Sequence, residues 1–420
     1  MTGLLVESGV AERLLPGGEA TVRTPSGICL VPNAVPGDRL DIQIEDRRRG
    51  ACRGRVQYLK TPSGERIAEP ACPVACACGG CALQFVRREY QAQTKNGWVS
   101  DALAPHLSAR TNFRGITAAD VVAGSRRRIR WWQGGDGQDA YWGLHGRASH
   151  DVVRHDDCMA VTPNIRLLHG HLAAMSLPGV ESVQVTELAD GMHMVLEGEG
   201  RDAHPAVPAV IADLPVQGWF RSGTKVTPLS RPAHRMHDRL PAGDGWIDLA
   251  VGPEDFIQAS RAGNEAMIRQ VQAWSSGAGR VADMFSGFGN LSLPLAAAIG
   301  STVIGAEVRA ASVMAANHSA RDLGLDARYV QADLFGNFDL SPFAGMDVLI
   351  LDPPRKGARR ICKALPILLP RQIILISCDI ASGARDAEMI ARQGYRLEAV
   401  RVLDMFPYAG HVEAMSLWRL

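Results

Sequence analysis

No apolar run in the 420 residues approaches the roughly 18 needed to cross a bilayer, which argues against an integral membrane protein. The opening residues, MTGLLVESGVAERLL, place an acid where a secretory leader is basic and then apolar, so export is not expected. An excess of either charge is also missing. The 45 Lys plus Arg stand against 44 Asp plus Glu, a net charge of +1, so a polyanion must be met by a local patch, and a sequence-independent coat protein for nucleic acid is not expected. Lysine is scarce, but an Arg-rich composition explains the excess of arginine as well as phosphate binding does. A disulfide framework is lacking too. The nine cysteines are an odd number spread over a long chain, and Cys72, Cys76, Cys78, Cys81 and Cys158 have ligand-like spacing, which suits a reducing, cytoplasmic setting. Cys29, Cys52 and Cys362 read as small buried hydrophobes.

What is present divides into three parts. Residues 1–62 alternate short apolar runs with Gly and Pro turns, the pattern of a small antiparallel barrel. Such a barrel reads nucleic acid or serves as a structural cap. The Arg47-Arg48-Arg49 run within it is weak evidence for either. Residues 63–250 open on the cysteine group, continue as a polar helix and then as strands, a mixed α+β middle domain. There Arg126, Arg127, Arg128 and Arg130 adjoin Trp131 and Trp132, a set able to follow phosphates and stack bases, or equally an edge strand with a cationic face. Residues 251–420 alternate helices with β-branched runs such as DVLILD and QIILIS, an α/β pattern of a doubly wound parallel sheet covered on both faces. Ligands of such a sheet gather at the carboxyl ends of its strands.

Strand RVADMF of that sheet runs into Ser286-Gly287-Phe288-Gly289-Asn290. Glycines there allow a tight turn close to a ligand, although many strand-to-helix turns carry them for packing alone. Three acids end successive strands: Glu307, Asp333 and Asp352. Several carboxylates suit a ligand with ribose hydroxyls, an adenine amino group and a sulfonium cation, and would repel a pyrophosphate. S-adenosylmethionine is therefore expected rather than a dinucleotide. Loop capping is the plainer role for Asp333 and Asp352.

In amine methyltransferases a turn like Asp352-Pro353-Pro354 is followed by an aromatic residue, whereas Arg355 stands here. The next strand delivers Ser377-Cys378-Asp379 to the same rim, and the segment Asp404-Met405-Phe406-Pro407 to Glu413 returns a carboxylate to it. Carbon 5 of uracil becomes nucleophilic only after something adds to carbon 6. A thiolate, Cys378, fits that step, and a base, Glu413, fits removal of the carbon 5 proton so that the thiolate can leave. For Glu413 the plainer role is a surface residue opening the last strand.

Cys72, Cys78 and Cys81 read C-x5-C-G-G-C, with Cys158 further on. Four thiolates can hold an iron–sulfur cubane or a zinc ion, and the spacing leaves both open. The C-x3-C-x2-C of radical enzymes fails because Gly79 occupies its third position. Cys76 has no assigned role.

The segments Phe256 to Gln258, DMFSGFGNLSLPLA, DPPRKG, SCD followed by GARD, and DMFPYAGHVE together closely resemble the RNA 5-methyluridine methyltransferase family, over most of the chain. The resemblance implies a C-terminal class I (Rossmann-like) methyltransferase domain behind a TRAM-like barrel. It implies Gln258, Phe285, Asn290, Glu307, Asp333 and Asp352 around S-adenosylmethionine, Phe256 against the flipped uracil, Cys378 as nucleophile and Glu413 as base. It also implies a [4Fe-4S] cluster on Cys72, Cys78, Cys81 and Cys158. A barrel plus cysteine cluster resembles the branch acting on 23S ribosomal RNA, the transfer RNA branch being expected to lack both. Its implied partner is RNA, with no membrane or protein partner. The alternatives are the same chemistry on transfer RNA, or a non-catalytic iron–sulfur RNA-binding factor. The chain departs from the family at Ser286 (usually Cys), Asp379 (Asn), Ile380 (Pro) and in Tyr408 to Gly410, which lacks a Thr. The change at Asp379 bears on a contact to the base, hence on target identity more than on reaction type.

Overall fold

Alternation of buried and exposed residues builds each layer, and a computed structural model describes how the layers meet. It describes residues 5–420 except 49–50, 121, 136–138, 173–174, 176, 199–206 and 231–234. Strands Val6–Leu14, Ala20–Thr24, Gly27–Val31, Ala51–Thr61 and Arg39–Arg48 close a five-stranded barrel in that spatial order. Its pairings are antiparallel except for the parallel contact of Gly27–Val31 with Ala51–Thr61, so the barrel is not purely antiparallel. Across that contact Cys29 and Cys52 face each other and are joined as a disulfide, not as two separate buried thiols. The side chains of Arg47–Arg49 lie outside the described residues.

The middle region forms an eight-stranded sheet in which Arg128–Gly134 lies between Val180–Leu188 and Tyr141–His145. That strand is therefore interior, which corrects the edge-strand alternative for Arg126 to Trp132. Strand alternation turns Trp131 fully into the core, stacked on His169 at 4.5 Å, while Arg130 pairs with Glu197 at 2.8 Å. Arg127 is buried as well and binds Asp238 at 2.6 Å. Most of this cationic run is thus spent on internal structure.

The C-terminal sheet has the spatial order Ala327–Gln331, Thr302–Glu307, Arg280–Met284, Val348–Leu351, Gln372–Ser377, Glu413–Arg419, Arg396–Leu403 and Asn112–Arg114. The first five strands are parallel, and Glu413–Arg419 runs antiparallel between its two neighbours. Period 2 explains its two faces. Leu349, Leu351, Ile373 and Leu375 enter one core, and Val348, Ile350, Ile374 and Ile376 enter the other. Truncating Ile350 or Ile374 to alanine is expected to cost roughly 2–5 kcal/mol.

The last strand, Asn112–Arg114, comes from the stretch ahead of residue 250, and helix Arg88–Leu103 packs against helix Ile380–Ala391. Between them these elements carry the barrel core, through Trp98 and Val99, into one face of the C-terminal sheet. Trp98 donates its indole N–H to the Leu14 carbonyl of the barrel at 2.8 Å. Lys95 of the same helix is fully buried and bonds Asp404 at 2.7 Å and the Phe406 carbonyl at 3.0 Å. A buried ion pair is costly to break from one side, so this one fixes the segment leading to Glu413. At the barrel edge Gly17 donates its N–H to the Gly410 carbonyl at 2.8 Å, and a Cβ on Gly410 would stand 2.3 Å from Gly17. Only glycine fits there.

Candidate active site and cysteine cavity

Parallel strands end in register, so the residues that follow them converge on one rim. Nine side chains singled out from the sequence, Phe256, Gln258, Phe285, Asn290, Glu307, Asp333, Asp352, Cys378 and Glu413, line a single cavity of about 760 Å³. Arg126, read earlier as part of a run able to follow phosphates, lines it too, and so do Asp283, Phe335, Arg355 and His411, which were missed as site residues. Asp283 carried a usable signal, since it sits two residues before Phe285 on the same strand as the glycine turn.

The turn after Arg280–Met284 is built by local strain. Phe285 takes a left-handed φ of 67°, which lets both its own N–H and that of Ser286 donate to the Ala306 carbonyl, at 3.0 and 3.1 Å. The Gly287 N–H donates to a Glu307 oxygen at 3.1 Å, and the other Glu307 oxygen accepts from the Arg309 N–H at 2.9 Å. A backbone amide that would meet a pyrophosphate in a dinucleotide fold is thus capped by a carboxylate. Asn290 exchanges two amide hydrogen bonds with Asn264, at 2.8 and 2.9 Å, which holds the rest of the turn. Gln258 donates to Asp352 at 3.4 Å, while its own carbonyl accepts from Arg127 at 3.0 Å, so the buried arginine of the middle sheet anchors the loop that carries Phe256. Phe256 itself is 69% exposed at the cavity mouth.

Electrostatically the cavity is acidic. Burial pushes the Asp352 carboxyl up to about 7. Burial does the same to Asp283, also to about 7, helped by Asp352 and Glu307 and opposed by a hydrogen bond from Ser292. One Asp283 oxygen, Oδ1, is buried without a partner. Such a wall favours a cationic ligand, and a cationic ligand would restore both groups to carboxylates. The residues present fit S-adenosylmethionine on this ground: an unpartnered buried carboxylate oxygen, acids after three of the parallel strands, and a carboxylate already on the Gly287 amide of the glycine turn.

Cys378 follows strand Gln372–Ser377, and Glu413 opens the neighbouring strand. Ser377 pairs with Ala414, so the register sets thiol and carboxyl side by side. Glu413 is only 4% exposed, and burial raises its carboxyl well above the usual range, with Asp352 adding and Arg355 opposing. Cys378 is half-buried. Burial lifts its thiol to about 11, Glu413 and Asp352 add, and Arg355 again opposes.

The departures from the family pattern have local explanations. Asp379 caps helix Ile380–Ala391, accepting from the Ser382 N–H at 2.8 Å, and it is not part of the cavity lining. Asp and Asn cap helices about equally well, so the expected change in a base contact has no support in this geometry. Ile380 packs against the core. Ser286 lines the cavity with its hydroxyl unpartnered.

Cys72, Cys78, Cys81 and Cys158 line a second cavity of about 290 Å³. Burial raises Cys81 to about 11, with Cys158 and Cys78 adding to the shift, and the Gly80 N–H donates to the Cys78 sulfur at 3.4 Å. Among the described residues, however, no three Cys, His, Asp or Glu side chains converge as a group that could hold a metal ion. The thiols surround a space rather than a point. Cys76 is exposed and lies outside that lining. Gly80 and Arg126 belong to the walls of both cavities. No described helix is long and apolar enough to cross a membrane.

No protein-family model matches the chain. It is 33% identical to the 23S rRNA (uracil(1939)-C(5))-methyltransferase RlmD of Pseudomonas aeruginosa, over 97% of this chain and 92% of that one. To the enzyme of the same name from Pectobacterium atrosepticum it is 30% identical, over 96% and 91%. Among solved structures, the Pyrococcus abyssi tRNA (uracil-54, C5)-methyltransferase in complex with S-adenosyl-L-homocysteine aligns with a TM-score of 0.74 at 22% identity, over 98% of this chain and 100% of that one. That last likeness shows the fold, the methyltransferase α/β domain included. It corrects the barrel half of one expectation, because a protein named for transfer RNA shares the fold end to end, and it leaves the cysteine cluster untested. The architecture therefore does not separate the two RNA targets.

Proposed function

Because the chain belongs to the RlmD family of 23S rRNA (uracil-C5)-methyltransferases, we propose that it methylates carbon 5 of a uridine in large-subunit ribosomal RNA. The reaction would run in the cytoplasm through a covalent bond from Cys378 to carbon 6. One observation carries the mechanism: strand register sets a thiol beside a buried carboxyl at the rim of an acid-lined cavity.

Bound S-adenosylmethionine supplies a methyl group on a positively charged sulfur. Gln258, Phe285, Asn290, Glu307, Asp333 and Asp352 hold the donor on one side of the cavity, and the exposed ring of Phe256 stacks on a uracil turned out of its RNA loop. Cys378 gives up its proton to solvent and adds to carbon 6, so that carbon 5 gains the electron pair that takes the methyl group. Arg355 favours the thiolate, and a positive charge in the cavity favours it further. Glu413, shielded from water and hence strongly basic as a carboxylate, accepts the proton from carbon 5. The S–C6 bond then breaks, the ring double bond re-forms and the thiolate returns.

The four cysteines around the second cavity would hold a [4Fe-4S] cluster as a structural staple between residues 72–81 and Cys158. Thiols spaced around a cavity suit a multi-iron cluster better than a single zinc. Methyl uptake by 23S rRNA and tRNA transcripts, side by side, tests the target. Transfer to the ribosomal transcript alone is expected, and uptake confined to tRNA would overturn that assignment. A chain that methylates neither would be an RNA-binding factor instead.

A further inference from the structure

The loop between strands Arg396–Leu403 and Glu413–Arg419 is gripped by its carbonyls from three directions. Phe406 accepts from the Lys95 ammonium at 3.0 Å, Tyr408 from the Leu83 N–H at 2.7 Å, and Gly410 from the Gly17 N–H of the barrel at 2.8 Å. Every second carbonyl is thus held by a different element. The Gly410–His411 peptide is trans, so its C=O and N–H point in opposite directions. With the carbonyl turned to the barrel, the His411 N–H is turned away from it. The far side is the cavity, which Phe406, Ala409, His411 and Glu413 line and Gly410 does not. The Ala409 N–H is taken up by the Phe406 carbonyl at 3.0 Å, whereas the His411 N–H has no hydrogen-bond partner among the described residues. A peptide fixed at its carbonyl, with its N–H bare in the cavity wall, is ready to meet an acceptor.

We propose that the His411 backbone N–H is a catalytic hydrogen-bond donor to O4 of the target uracil. This rests on the covalent reading above and supplies a group that it lacks. When the Cys378 thiolate bonds carbon 6, the electron pair of the C5–C6 double bond passes to carbon 5 and is shared with O4, which becomes an enolate oxygen. That charge needs a hydrogen bond until carbon 5 takes the methyl group. Glu413 serves carbon 5, the neighbouring carbon 4 carries O4, and His411 stands two residues before Glu413 in the same wall, so one short segment addresses both ring positions. The bond from Gly17 polarises the peptide and strengthens its N–H, which makes the barrel turn a positioning element for the reaction. The N–H also selects the base, because cytosine carries an amino group at carbon 4 and would set donor against donor.

The test compares two full-length variants, His411→Pro, which lacks the N–H, and His411→Ala, which lacks only the ring. Methyl transfer to a 23S rRNA fragment is read in a single turnover, and adduct formation on the same fragment carrying 5-fluorouridine is timed. Both should be roughly 100- to 1,000-fold slower in His411→Pro than in His411→Ala, while the two variants share one melting temperature and one affinity for S-adenosylhomocysteine. Sulfur accepts hydrogen bonds weakly, so a fragment carrying 4-thiouridine should slow the native protein and His411→Ala about tenfold or more and leave His411→Pro nearly unaffected. Gly410→Ala, whose Cβ would stand 2.3 Å from the Gly17 backbone, should slow adduct formation by about three- to tenfold. Equal rates in the proline and alanine variants, or an equal response of both to 4-thiouridine, would overturn the proposal. Should the proline variant fail to fold, a native rate in Gly410→Ala together with an undiminished native rate on 4-thiouridine would do the same. If the native protein forms no adduct at all, the covalent reading itself fails; if it forms one and the two His411 variants match, this contact alone fails.

Discussion

The donor half of the catalytic cavity and the cysteine cavity share a wall but are built in opposite ways. In the donor half Glu307, Asp333 and Asp352 stand at or just beyond the ends of parallel strands, so the sheet sets their position, while Gln258 and Asn290 are held by contacts of their loops. In the cysteine cavity the thiols come from an irregular loop, residues 72–81, and from Cys158, which no single sheet aligns. The cysteine cavity brings four thiols around one space, and on the proposed cluster reading a bound group would tie them. Donor capture should therefore tolerate damage to the cysteine site, whereas RNA capture should not, because Gly80 and Arg126 face both cavities.

Experiments that break this contrast can be ranked by size. Cys378→Ala should lower methyl transfer at least about a thousandfold by removing the covalent route, while S-adenosylhomocysteine binding stays within twofold. Single-turnover assays and calorimetry read the two halves separately. Glu413→Gln should slow turnover by roughly 100- to 10,000-fold and let the protein–RNA adduct accumulate on denaturing gels, since addition proceeds and elimination waits for a base. Next comes Cys158→Ser. Iron content and the broad visible absorbance of the purified protein should fall together, RNA affinity should drop about tenfold or more, and donor affinity should hold. An equal loss of both affinities would end the proposed division between the two cavities.

A pH series sharpens the donor side. Asp283 and Asp352 stand at about 7 in the fold, against roughly 4 when unfolded. A raised carboxyl burdens the native state once it ionises, so the ligand-free protein should lose stability as pH climbs from about 4 through 7. A cationic donor binds the ionised form and relieves that burden. The rise in melting temperature caused by S-adenosylmethionine should thus be larger at pH 8 than at pH 6. The smallest effect belongs to Asp379→Asn, which exchanges one good helix cap for another and should leave turnover within about twofold.

The same contrast explains what could be read from residues alone. Glu307, Asp333, Asp352 and Cys378 were legible as cavity residues because a buried parallel strand announces its own end, and the cavity opens at those ends. Glu413 was read from the C-terminal segment that returns to the rim and from the family resemblance; the antiparallel register that brings it beside Cys378 came only from the structure. Arg126 and Arg127 were not legible. Adjacent in a cationic run, they part ways, one facing two cavities and the other buried on Asp238. Nothing local distinguishes them, since burial there is decided by an interior position in the middle sheet. Nor did the sequence announce that strand Asn112–Arg114 would extend the catalytic sheet, or that Lys95 would be buried against Asp404. Phe335 was missed for another reason: a lone aromatic residue in a loop carries no pattern, and its place on the cavity wall comes from the turn that Asp333 and Gly336 make.

The sulfur of Cys378 is the point on which the chemistry turns, and trapping it tests that point most directly. Incubated with S-adenosylmethionine and a 23S rRNA fragment carrying 5-fluorouridine, the protein should form a complex stable to denaturation, because fluorine at carbon 5 cannot be removed as a proton. Mass spectrometry should find the methylated nucleotide on the peptide that contains Cys378. A complex mapped to another residue, or undiminished methylation of ordinary RNA by Cys378→Ala, would contradict the account.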